Sequence, residues 1–290
     1  MDPQPDLGSA DFEKWTRDGY LHFPGFFSDP EVAFADRLLE ETWRLRPGNV
    51  TVDDVETGRR CRMSRIEERD RSHRIKVSDL YLISEKLRGL LLSERIVSFL
   101  SSLLSCEPVL CNTLHLERSS AQDYHSDSLF MTPATPGKLI AAWMALEDVR
   151  HGSGPLRLYP GSHRIAAFRF SNGLHHAVEG EMPNWAAYMQ KEIDSRGLQS
   201  RSLLTAKGAL VLWHADVLHG AEPIADPALT RRSLVAHYFS LEDCRRRGYR
   251  LARAGSGRWV RRRPQPVDTL TRLLCAAARR LESLRAGVAR

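Results

Sequence analysis

The second half of the chain is a series of short apolar runs separated by turn-forming residues, and this pattern limits the fold more than any other feature. The runs are rich in β-branched, aromatic and leucine residues, with Gly, Pro, Asn and Ser between them. They lie at Val109–Glu117, Leu139–Leu146, Pro155–Tyr159, Gly208–Trp213 and Ser233–Phe239. Several short strands with turn signals are typical of a β-sandwich or barrel.

Two helices are predicted before this series of runs, and one is predicted inside it. Ser28-Asp-Pro-Glu31 has the chemistry of a helix start, because Ser28 can cap the first turn and Glu31 can bond back to it. That helix continues to about Arg44. Residues 94–105 place isoleucine, valine and leucine side chains on one helical face. Residues 183–197 have a helical pattern between two predicted strands.

Two other N-terminal segments are shorter or less regular. Tyr20–Phe23 predicts a short strand that is closed by a Pro-Gly turn. Residues 51–73 are charged and lack a clear period, so we predict a mobile loop there. Helices first and strands afterwards favour a mainly β fold with flanking helices, in which N-terminal helices support a β-barrel or jelly roll.

Charge is distributed unevenly along the 290 residues. Residues 241–290 contain 14 arginines and four acidic residues, a net charge of +10, whereas residues 1–240 have a net charge of −4. We therefore treat residues 1–240 as one domain and residues 241–290 as a basic C-terminal extension. Because no candidate site residue lies in residues 261–290, we expect their removal to leave metal binding intact.

Within this extension, Val267–Ala289 has the pattern of a basic amphipathic helix. Such a helix can dock on a membrane or a protein partner. We favour the simpler alternatives, in which it covers the body of the protein or forms a loosely attached tail. Nucleic-acid binding is not expected, because no nucleic-acid recognition motif accompanies the arginines.

The cysteine pattern and the lack of long apolar runs predict a cytoplasmic protein. The five cysteines form no C-x-x-C pair, so neither a disulfide framework nor a structural zinc site is expected. No apolar run approaches the length of a membrane span. The first residues also lack the basic and then apolar pattern of a secretion signal.

Three residues form a candidate metal-binding set. His125 and Asp127 are two positions apart, so in an extended strand both side chains project to the same face. His219 follows a later predicted strand. Two histidines and one carboxylate are the facial triad of non-haem Fe(II) oxygenases, which leaves coordination positions free for a co-substrate and O₂. The H-x-D pattern alone is weak evidence, since a hydrogen-bonded loop pair would give the same sequence.

An arginine near the last predicted strand strengthens the assignment. Arg231 and Ser233 share one face of an extended chain, whereas Arg232 points the other way. A guanidinium binds a carboxylate through two hydrogen bonds, and a neighbouring hydroxyl can donate another. These two residues therefore suit the distal carboxylate of 2-oxoglutarate. The alternative is a solvated pair of arginines, but the position shortly after His219 favours the co-substrate.

Together these motifs resemble the phytanoyl-CoA dioxygenase family of Fe(II)/2-oxoglutarate-dependent oxygenases, over about residues 10–240. The order and combination of the motifs is more specific than any single one. The segments that carry the resemblance are Asp18-Gly-Tyr-Leu-His-Phe-Pro-Gly-Phe-Phe27, His125-Ser-Asp127, Ala142-Trp-Met-Ala-Leu-Glu147, Gly154-Pro-Leu-Arg-Leu-Tyr-Pro-Gly-Ser-His163, Gly208 to His219-Gly220, and Arg231-Arg-Ser-Leu-Val-Ala-His-Tyr238.

The resemblance implies a double-stranded β-helix fold, the jelly-roll or cupin-like core of these oxygenases. It also implies that His125, Asp127 and His219 bind iron and that Arg231 binds 2-oxoglutarate. Lys76 resembles a family lysine near the co-substrate, although a surface lysine is an equal alternative. Trp143 resembles a family tryptophan beside the co-substrate, and its alternative is plain barrel core.

One departure from the family pattern and one agreement with it affect the expected reaction. Ala221 stands where some members have a serine that contacts the co-substrate, which removes one hydrogen bond. Asp127 retains the carboxylate that halogenating relatives replace by Gly or Ala, so hydroxylation is favoured over chlorination.

Other histidines and aromatics are given structural interpretations. We expect His163 to belong to a turn and His214 to be packed rather than to line the site, and we assign no role to His237. Trp185 and Tyr188 lie in the predicted inserted helix. They could cover the mouth of the site, but packing of that helix is favoured.

The function expected from the resemblance is hydroxylation of an unactivated C–H bond in a small-molecule metabolite. Fe(II) would be the metal, 2-oxoglutarate and O₂ the co-substrates, and succinate and CO₂ the released products. Desaturation, oxidative cyclisation or epimerisation at the same site is the alternative. A non-catalytic binding protein on this scaffold is a more remote one, against which the intact metal set argues. No Gly-rich phosphate-binding motif favours a CoA ester, and family resemblance does not identify the substrate.

Overall fold

Two β-sheets and six α-helices are present in the computed structural model, which describes residues 7–267. The helices are α1 (Ser9–Asp18), α2 (Asp29–Leu45), α3 (Glu85–Leu91), α4 (Glu94–Leu104), α5 (Met182–Arg196) and α6 (Leu241–Arg246). The strands are β1 (Tyr20–Phe23), β2 (Thr51–Asp54), β3 (Arg59–Arg62), β4 (Ile75–Ser78), β5 (Pro108–Leu116), β6 (Leu139–Ala145), β7 (Leu156–Leu158), β8 (Arg201–Leu203), β9 (Leu210–His214), β10 (His219–Ala221), β11 (Ser233–Ser240), β12 (Leu251–Ala254) and β13 (Gly257–Val260).

The larger sheet has the strand order β1-β9-β6-β11-β5-β4-β2-β3, and the smaller sheet has the order β10-β7-β8. Every pairing along both paths is antiparallel. Leucines of β7 pack with side chains of β6 and β9, so the two sheets face each other across a shared interior. This is the jelly-roll core of the double-stranded β-helix, and the predicted fold class is confirmed.

Strand β6 shows why the apolar runs form the centre of the fold. Its side chains alternate between the two faces of the sheet, as the period of two requires. Ala141 and Trp143 belong to the cluster between the sheets, whereas Ile140 and Met144 belong to the cluster beneath the helices. Because both faces are buried, the strand is apolar throughout instead of alternating with polar residues.

Three helices cover the outer face of the larger sheet. Side chains of α2, α3 and α4 form one continuous apolar cluster with that face. The N-terminus of α2 has the predicted capping box, in which the backbone N–H of Ser28 donates to the Glu31 carboxylate over 2.8 Å. The strands predicted in the second half, the strand at Tyr20–Phe23 and the three predicted helices are all present.

The prediction of a mobile loop at residues 51–73 is wrong. Strands β2 and β3 form a hairpin there, and β2 also pairs with β4 at the edge of the larger sheet. The apolar residues of this hairpin, Val52 and Cys61, are buried against the helices. Cross-strand ion pairs such as Arg60–Asp53 account for its high charge. The charged residues therefore belong to two paired strands, which a search for periodicity along the chain did not detect.

The larger sheet also extends beyond the expected domain boundary at residue 240. Strand β13 pairs in parallel with β5 and in antiparallel fashion with β12. Strands β12 and β13, within residues 251–260, are therefore part of the larger sheet. The amphipathic helix predicted from Val267 to Ala289 lies outside the described residues, except for Val267 itself. None of the helices between residues 7 and 267 is long and apolar enough to cross a bilayer.

Candidate active site

The two histidines of the candidate metal set are paired directly through their backbones. His125 and His219 form an antiparallel bridge in which each N–H donates to the other carbonyl, over 3.0 and 2.9 Å. Their imidazole centroids are 4.4 Å apart. The bridge joins the loop after β5 to strand β10, and it therefore brings together residues that are far apart in the chain.

Both imidazoles present the same nitrogen to the cavity. Nδ1 of His125 lies 2.9 Å from the carbonyl oxygen of Asp123, and Nδ1 of His219 lies 3.0 Å from that of Val217. A carbonyl oxygen only accepts hydrogen bonds, so Nδ1 carries the proton in each ring and Nε2 is free to bind a metal. Hydrogen bonds of this kind fix the orientation of metal-binding histidines.

Asp127 completes the set at the start of a short 3₁₀ turn. Its Oδ1 lies 3.6 Å from Nε2 of His219, and its Oδ2 accepts a 2.8 Å hydrogen bond from the indole Nε1 of Trp213. One donor atom from each of His125, Asp127 and His219 lies within 4.8 Å of the other two. Two imidazole nitrogens and a carboxylate oxygen at this spacing fit a divalent iron with open positions.

The protonation states of these groups suit metal binding. Desolvation in the cavity, together with His219, lowers the pKa of His125 to about 3, so its imidazole is neutral at neutral pH. Burial alone would raise the pKa of Asp127, but His219 and His237 lower it well below its usual range. The set therefore includes the neutral imidazole of His125 and the negative carboxylate of Asp127.

Arg231 lies in the wall of the same cavity with unsatisfied donors. Its side chain is buried, and its Nε and Nη1 atoms have no hydrogen-bond partner among the described residues. Burial lowers the pKa of Arg231 to about 10, and Glu147 opposes that shift. A buried guanidinium without a counter-ion is unfavourable, so a carboxylate ligand would satisfy it.

Of the other predicted co-substrate residues, Trp143 lies beside Arg231 in the cavity and Ser233 does not line it. The guanidinium lies 5.9 Å from the ring centroid of Trp143, which lines the cavity. Ser233 is fully buried and is not among the lining residues. The indole Nε1 of Trp143 and the hydroxyl of Ser233 are buried and also unpartnered within residues 7–267.

Arg232 points away from the cavity, as the period of two predicts, but it is not an exposed charge. It forms ion pairs with Asp36, over 2.9 Å, and with Glu40, both on helix α2. Arg71 bridges Glu40 and Glu117 in the same network. Arg232 is therefore held by ion pairs instead of being solvated, because α2 lies against that face of the sheet.

Lys76 is a cavity residue and not a surface lysine. It lies on β4, lines the cavity, and donates a 2.7 Å hydrogen bond from Nζ to Oε1 of Gln122. Burial lowers the pKa of Lys76. The cavity and its mouth together enclose about 520 Å³ of space, open solvent included.

Trp213 and His237 contact the candidate metal ligands and were not singled out by the sequence. Trp213 appeared only as the end of a predicted strand. His237 is buried on β11, and its Nε2 lies 3.4 Å from Oδ1 of Asp127. A usable signal existed for His237, because it lies six residues after Arg231 and therefore on the same face of the strand.

The remaining expectations concern residues around the site. Trp185 on α5 is buried in a cluster with Leu129 and Leu218, which neighbour the candidate ligands, so the packing interpretation is favoured over a lid. His214 is not among the cavity-lining residues, whereas Ala221 is. Phe130 is 51% exposed and its ring lies 5.9 Å from that of His125.

Comparison with known proteins agrees with this geometry. The sequence profile that describes phytanoyl-CoA dioxygenase (PhyH) matches residues 15–233. The chain belongs to the phytanoyl-CoA dioxygenase family. A "Phytanoyl-CoA dioxygenase domain-containing protein 1" from Bos taurus is 29% identical over 123 residues, which are 41% of this chain. The match spans only 38% of that relative.

Solved structures of other iron and 2-oxoglutarate enzymes share the family fold. The non-heme alpha-ketoglutarate-dependent carbocyclase SnoK from nogalamycin biosynthesis has a TM-score of 0.62 at 18% identity, with 86% of this chain and 88% of SnoK covered. EctD from S. alaskensis, with 2-oxoglutarate and 5-hydroxyectoine, has a TM-score of 0.59 at 16% identity, with 90% and 82% covered. Family members use Fe(II) and 2-oxoglutarate, and the residues described above fit both groups.

Proposed function

We propose that this protein is an Fe(II)- and 2-oxoglutarate-dependent dioxygenase that hydroxylates an unactivated C–H bond of a small-molecule metabolite. The observation that carries the proposal is the buried, unpaired guanidinium of Arg231 in the same cavity as His125, Asp127 and His219. A site for a metal alone would have no need of this arginine. A site for a metal together with a dicarboxylate needs both the metal ligands and the arginine.

The proposed roles follow from the positions of the side chains. His125, Asp127 and His219 would hold the iron, which with 2-oxoglutarate and O₂ supplies the oxidising chemistry. Arg231 would bind the distal carboxylate of 2-oxoglutarate through two hydrogen bonds. The indole of Trp143 lies beside Arg231 and would complete the pocket for that carboxylate. Ser233 does not line the cavity, so its hydroxyl is not included in this pocket.

Lys76 would also act in this cavity, which it lines together with Arg231. It lines the same cavity as His125, Asp127 and His219, and its Nζ donates to Gln122. It would contact either the keto-acid end of 2-oxoglutarate or a polar group of the substrate. Leu114, Leu116 and Val235 line the cavity as well and would exclude water from the reacting groups.

The same site supports desaturation, oxidative cyclisation or epimerisation as the second candidate reaction. The carbocyclase SnoK shares the fold, and the substrate atom that is held nearest the metal would decide the outcome. The products differ in mass. Hydroxylation adds one oxygen atom, desaturation or cyclisation removes two hydrogens, and epimerisation leaves the mass unchanged.

A substrate-triggered assay tests the proposal. Purified protein with Fe(II), 2-oxoglutarate and O₂ is incubated with a panel of metabolites, and succinate and product mass are measured. We expect succinate formation that requires both the metal and a substrate. A protein that binds iron and 2-oxoglutarate but releases no succinate with any substrate would instead support the non-catalytic scaffold.

The cytoplasmic location remains a prediction, and so does a small-molecule substrate as the principal partner. A membrane or protein contact through the basic C-terminal extension would involve residues that lie outside the described part of the chain. The substrate panel should include free acids as well as CoA esters, because the family name alone does not identify the substrate.

A further inference from the structure

The short segment that carries Arg231 lies just before the last strand of the barrel, since β11 begins at Ser233. Two backbone hydrogen bonds join it to the neighbouring strands. The N–H of Arg231 donates to the carbonyl of Glu117 over 3.0 Å, and the carbonyl of Arg232 accepts a 3.0 Å hydrogen bond from the N–H of Leu146. Two further donors of the segment, the N–H of Arg232 and the hydroxyl of Thr230, are bound by a side chain.

That side chain is Glu147, which follows the end of β6. Its Oε1 accepts a 2.6 Å hydrogen bond from the backbone N–H of Arg232, and its Oε2 accepts a 2.9 Å hydrogen bond from the hydroxyl of Thr230. The two donors come from the residues immediately before and after Arg231. A carboxylate has two acceptor oxygens and no donor, so one group holds the chain on both sides of the arginine.

Glu147 does not take the place of a ligand for the guanidinium of Arg231. Nε and Nη1 of Arg231 have no hydrogen-bond partner within residues 7–267, although the side chain is buried. The negative charge of Glu147 acts on the guanidinium from a distance, because it opposes the lowering of the pKa of Arg231 by burial. The hydrogen bonds of Glu147 therefore hold the backbone, and the guanidinium stays available for a ligand.

The direction of the guanidinium depends on this support from the backbone. Two parallel hydrogen bonds to a carboxylate require the plane of the guanidinium to be aligned with the ligand. Binding groups must be held to within about 0.5 Å by the residues around them. Since no hydrogen bond within the described part of the chain holds Nε or Nη1 of Arg231, the segment that carries the side chain has to supply that precision.

We propose that Glu147 is a positioning residue of the co-substrate site, which holds Arg231 in the orientation that binds the distal carboxylate of 2-oxoglutarate. The inference rests on the proposed function, because it takes Arg231 to be the residue that binds this carboxylate. It concerns affinity for the co-substrate and is independent of the reaction that follows. The sequence placed Glu147 at the end of a family motif and gave it no role.

The test compares Glu147→Ala and Glu147→Gln with Asp148→Ala in the full-length protein. Asp148 is the matched control, because its carboxylate also accepts a backbone hydrogen bond, over 2.9 Å from the N–H of Lys207, which does not line the cavity. The readouts are the Kd for 2-oxoglutarate, measured by calorimetry on the Co(II)-loaded protein without O₂, and the thermal unfolding midpoint. No turnover is needed for either measurement.

We expect Glu147→Ala to raise the Kd for 2-oxoglutarate by about tenfold, because a misplaced binding group loses part of its contribution. Asp148→Ala should change that Kd by less than about twofold. Glu147→Gln should raise it by less than about threefold, since the amide oxygen can accept from Arg232 while the amide NH₂ donates to the Thr230 hydroxyl. Equal Kd values for Glu147→Gln and Glu147→Ala would overturn the proposal, because the charge and not the hydrogen bonds would then matter.

A double-mutant cycle shows whether Glu147 acts through Arg231. In an Arg231→Ala background, Glu147→Ala should have no further effect on the Kd for 2-oxoglutarate, because the group that it positions is already absent. Additive effects of the two substitutions would overturn the proposal, because Glu147 would then act on the co-substrate by another route.

The remaining outcomes separate the possible failures. A folded Glu147→Ala protein with the wild-type Kd for 2-oxoglutarate would also overturn the proposal. If Glu147→Ala does not fold, Thr230→Val decides, because it removes one of the two donors at nearly constant volume and should raise the Kd by about threefold; an unchanged Kd would overturn the proposal. A wild-type protein that binds Co(II) but no 2-oxoglutarate would refute the proposed function, and this inference with it.

Discussion

The indole Nε1 of Trp213 donates a hydrogen bond to Oδ2 of Asp127 over 2.8 Å, inside the space between the two sheets. This bond occupies one carboxylate oxygen and leaves Oδ1 on the side of His219. Trp213 is itself held in the sheet, where β9 pairs with β1 and β6. The position of the carboxylate is therefore set by the body of the sheet as well as by its own loop.

Replacing Trp213 by Phe should weaken metal binding, because it removes this hydrogen bond and retains most of the ring. We expect the Kd for Co(II) to rise by about tenfold, the lower end of the range for partners of metal ligands. Trp143→Phe is the control, since that indole has no partner among the described residues and does not contact a ligand. Equal Kd values for both variants would show that the Trp213 bond does not orient Asp127.

The candidate metal ligands should be indispensable for turnover. His125→Ala and His219→Ala each remove a nitrogen donor, and Asp127→Ala removes a ligand together with its negative charge. We expect one Fe(II) per chain for the wild type and no measurable succinate formation for any of the three variants. His163→Ala, in which a histidine outside the cavity lining is changed, is the control. Full activity of His125→Ala or His219→Ala would contradict the assignment.

Substitution of Arg231 should weaken co-substrate binding, whereas substitution of Arg232 should lower stability. Loss of one partner of a buried charge pair costs about 3–5 kcal/mol, so Arg231→Ala should raise the apparent KM for 2-oxoglutarate by about 10² or more. In Arg231→Lys the KM for 2-oxoglutarate should lie between those of Arg231→Ala and the wild type. An ammonium cannot form the two parallel hydrogen bonds that a planar guanidinium makes with a carboxylate. The measurement is the 2-oxoglutarate dependence of succinate formation.

Arg232→Ala should leave that KM within about a factor of five, because the side chain points away from the cavity. It should lower the free energy of unfolding by about 1–3 kcal/mol, since Asp36 and Glu40 lose their partner. Urea denaturation measures this loss. A strongly raised KM for 2-oxoglutarate in Arg232→Ala, together with an unchanged KM in Arg231→Ala, would mean that the strand register is shifted by one residue.

Because of His115, the free energy of unfolding of the metal-free protein should be lower in mild acid than at neutral pH. Burial lowers the pKa of His115 from 6.5 to about 3, so below pH 6.5 the unfolded chain binds a proton that the folded chain does not. The free energy of unfolding therefore decreases as the pH falls through this window. The contribution of His115 is roughly 1–2 kcal/mol between pH 6.5 and about pH 5.

His115→Leu removes this titration and should make the pH dependence of stability shallower by that amount. Urea denaturation of the metal-free protein at several pH values measures the slope. His151→Gln is the control, because it replaces an exposed imidazole and leaves His115 in place. An unchanged slope in His115→Leu would show that the ring is not kept neutral by burial.

Local sequence patterns were sufficient for most of the individual elements. The β-rich runs, the capping box at Ser28 and the helix at residues 94–105 depend on neighbouring residues, and all of them are present. The side of the chain on which Arg231 and Ser233 lie also follows from the period of two. The hairpin of β2 and β3 was missed, because its charges pair across the two strands and not along one of them.

The sequence by itself determined which residues have the chemistry of a metal and carboxylate site, namely His125, Asp127, His219 and Arg231. Only the tertiary structure decided what surrounds them. The hydrogen bond from Trp213 and the contact of His237 both join residues that are remote in the chain. Side-chain spacing along one strand predicts a shared face, whereas contacts across strands depend on sheet order and register, which no local pattern encodes.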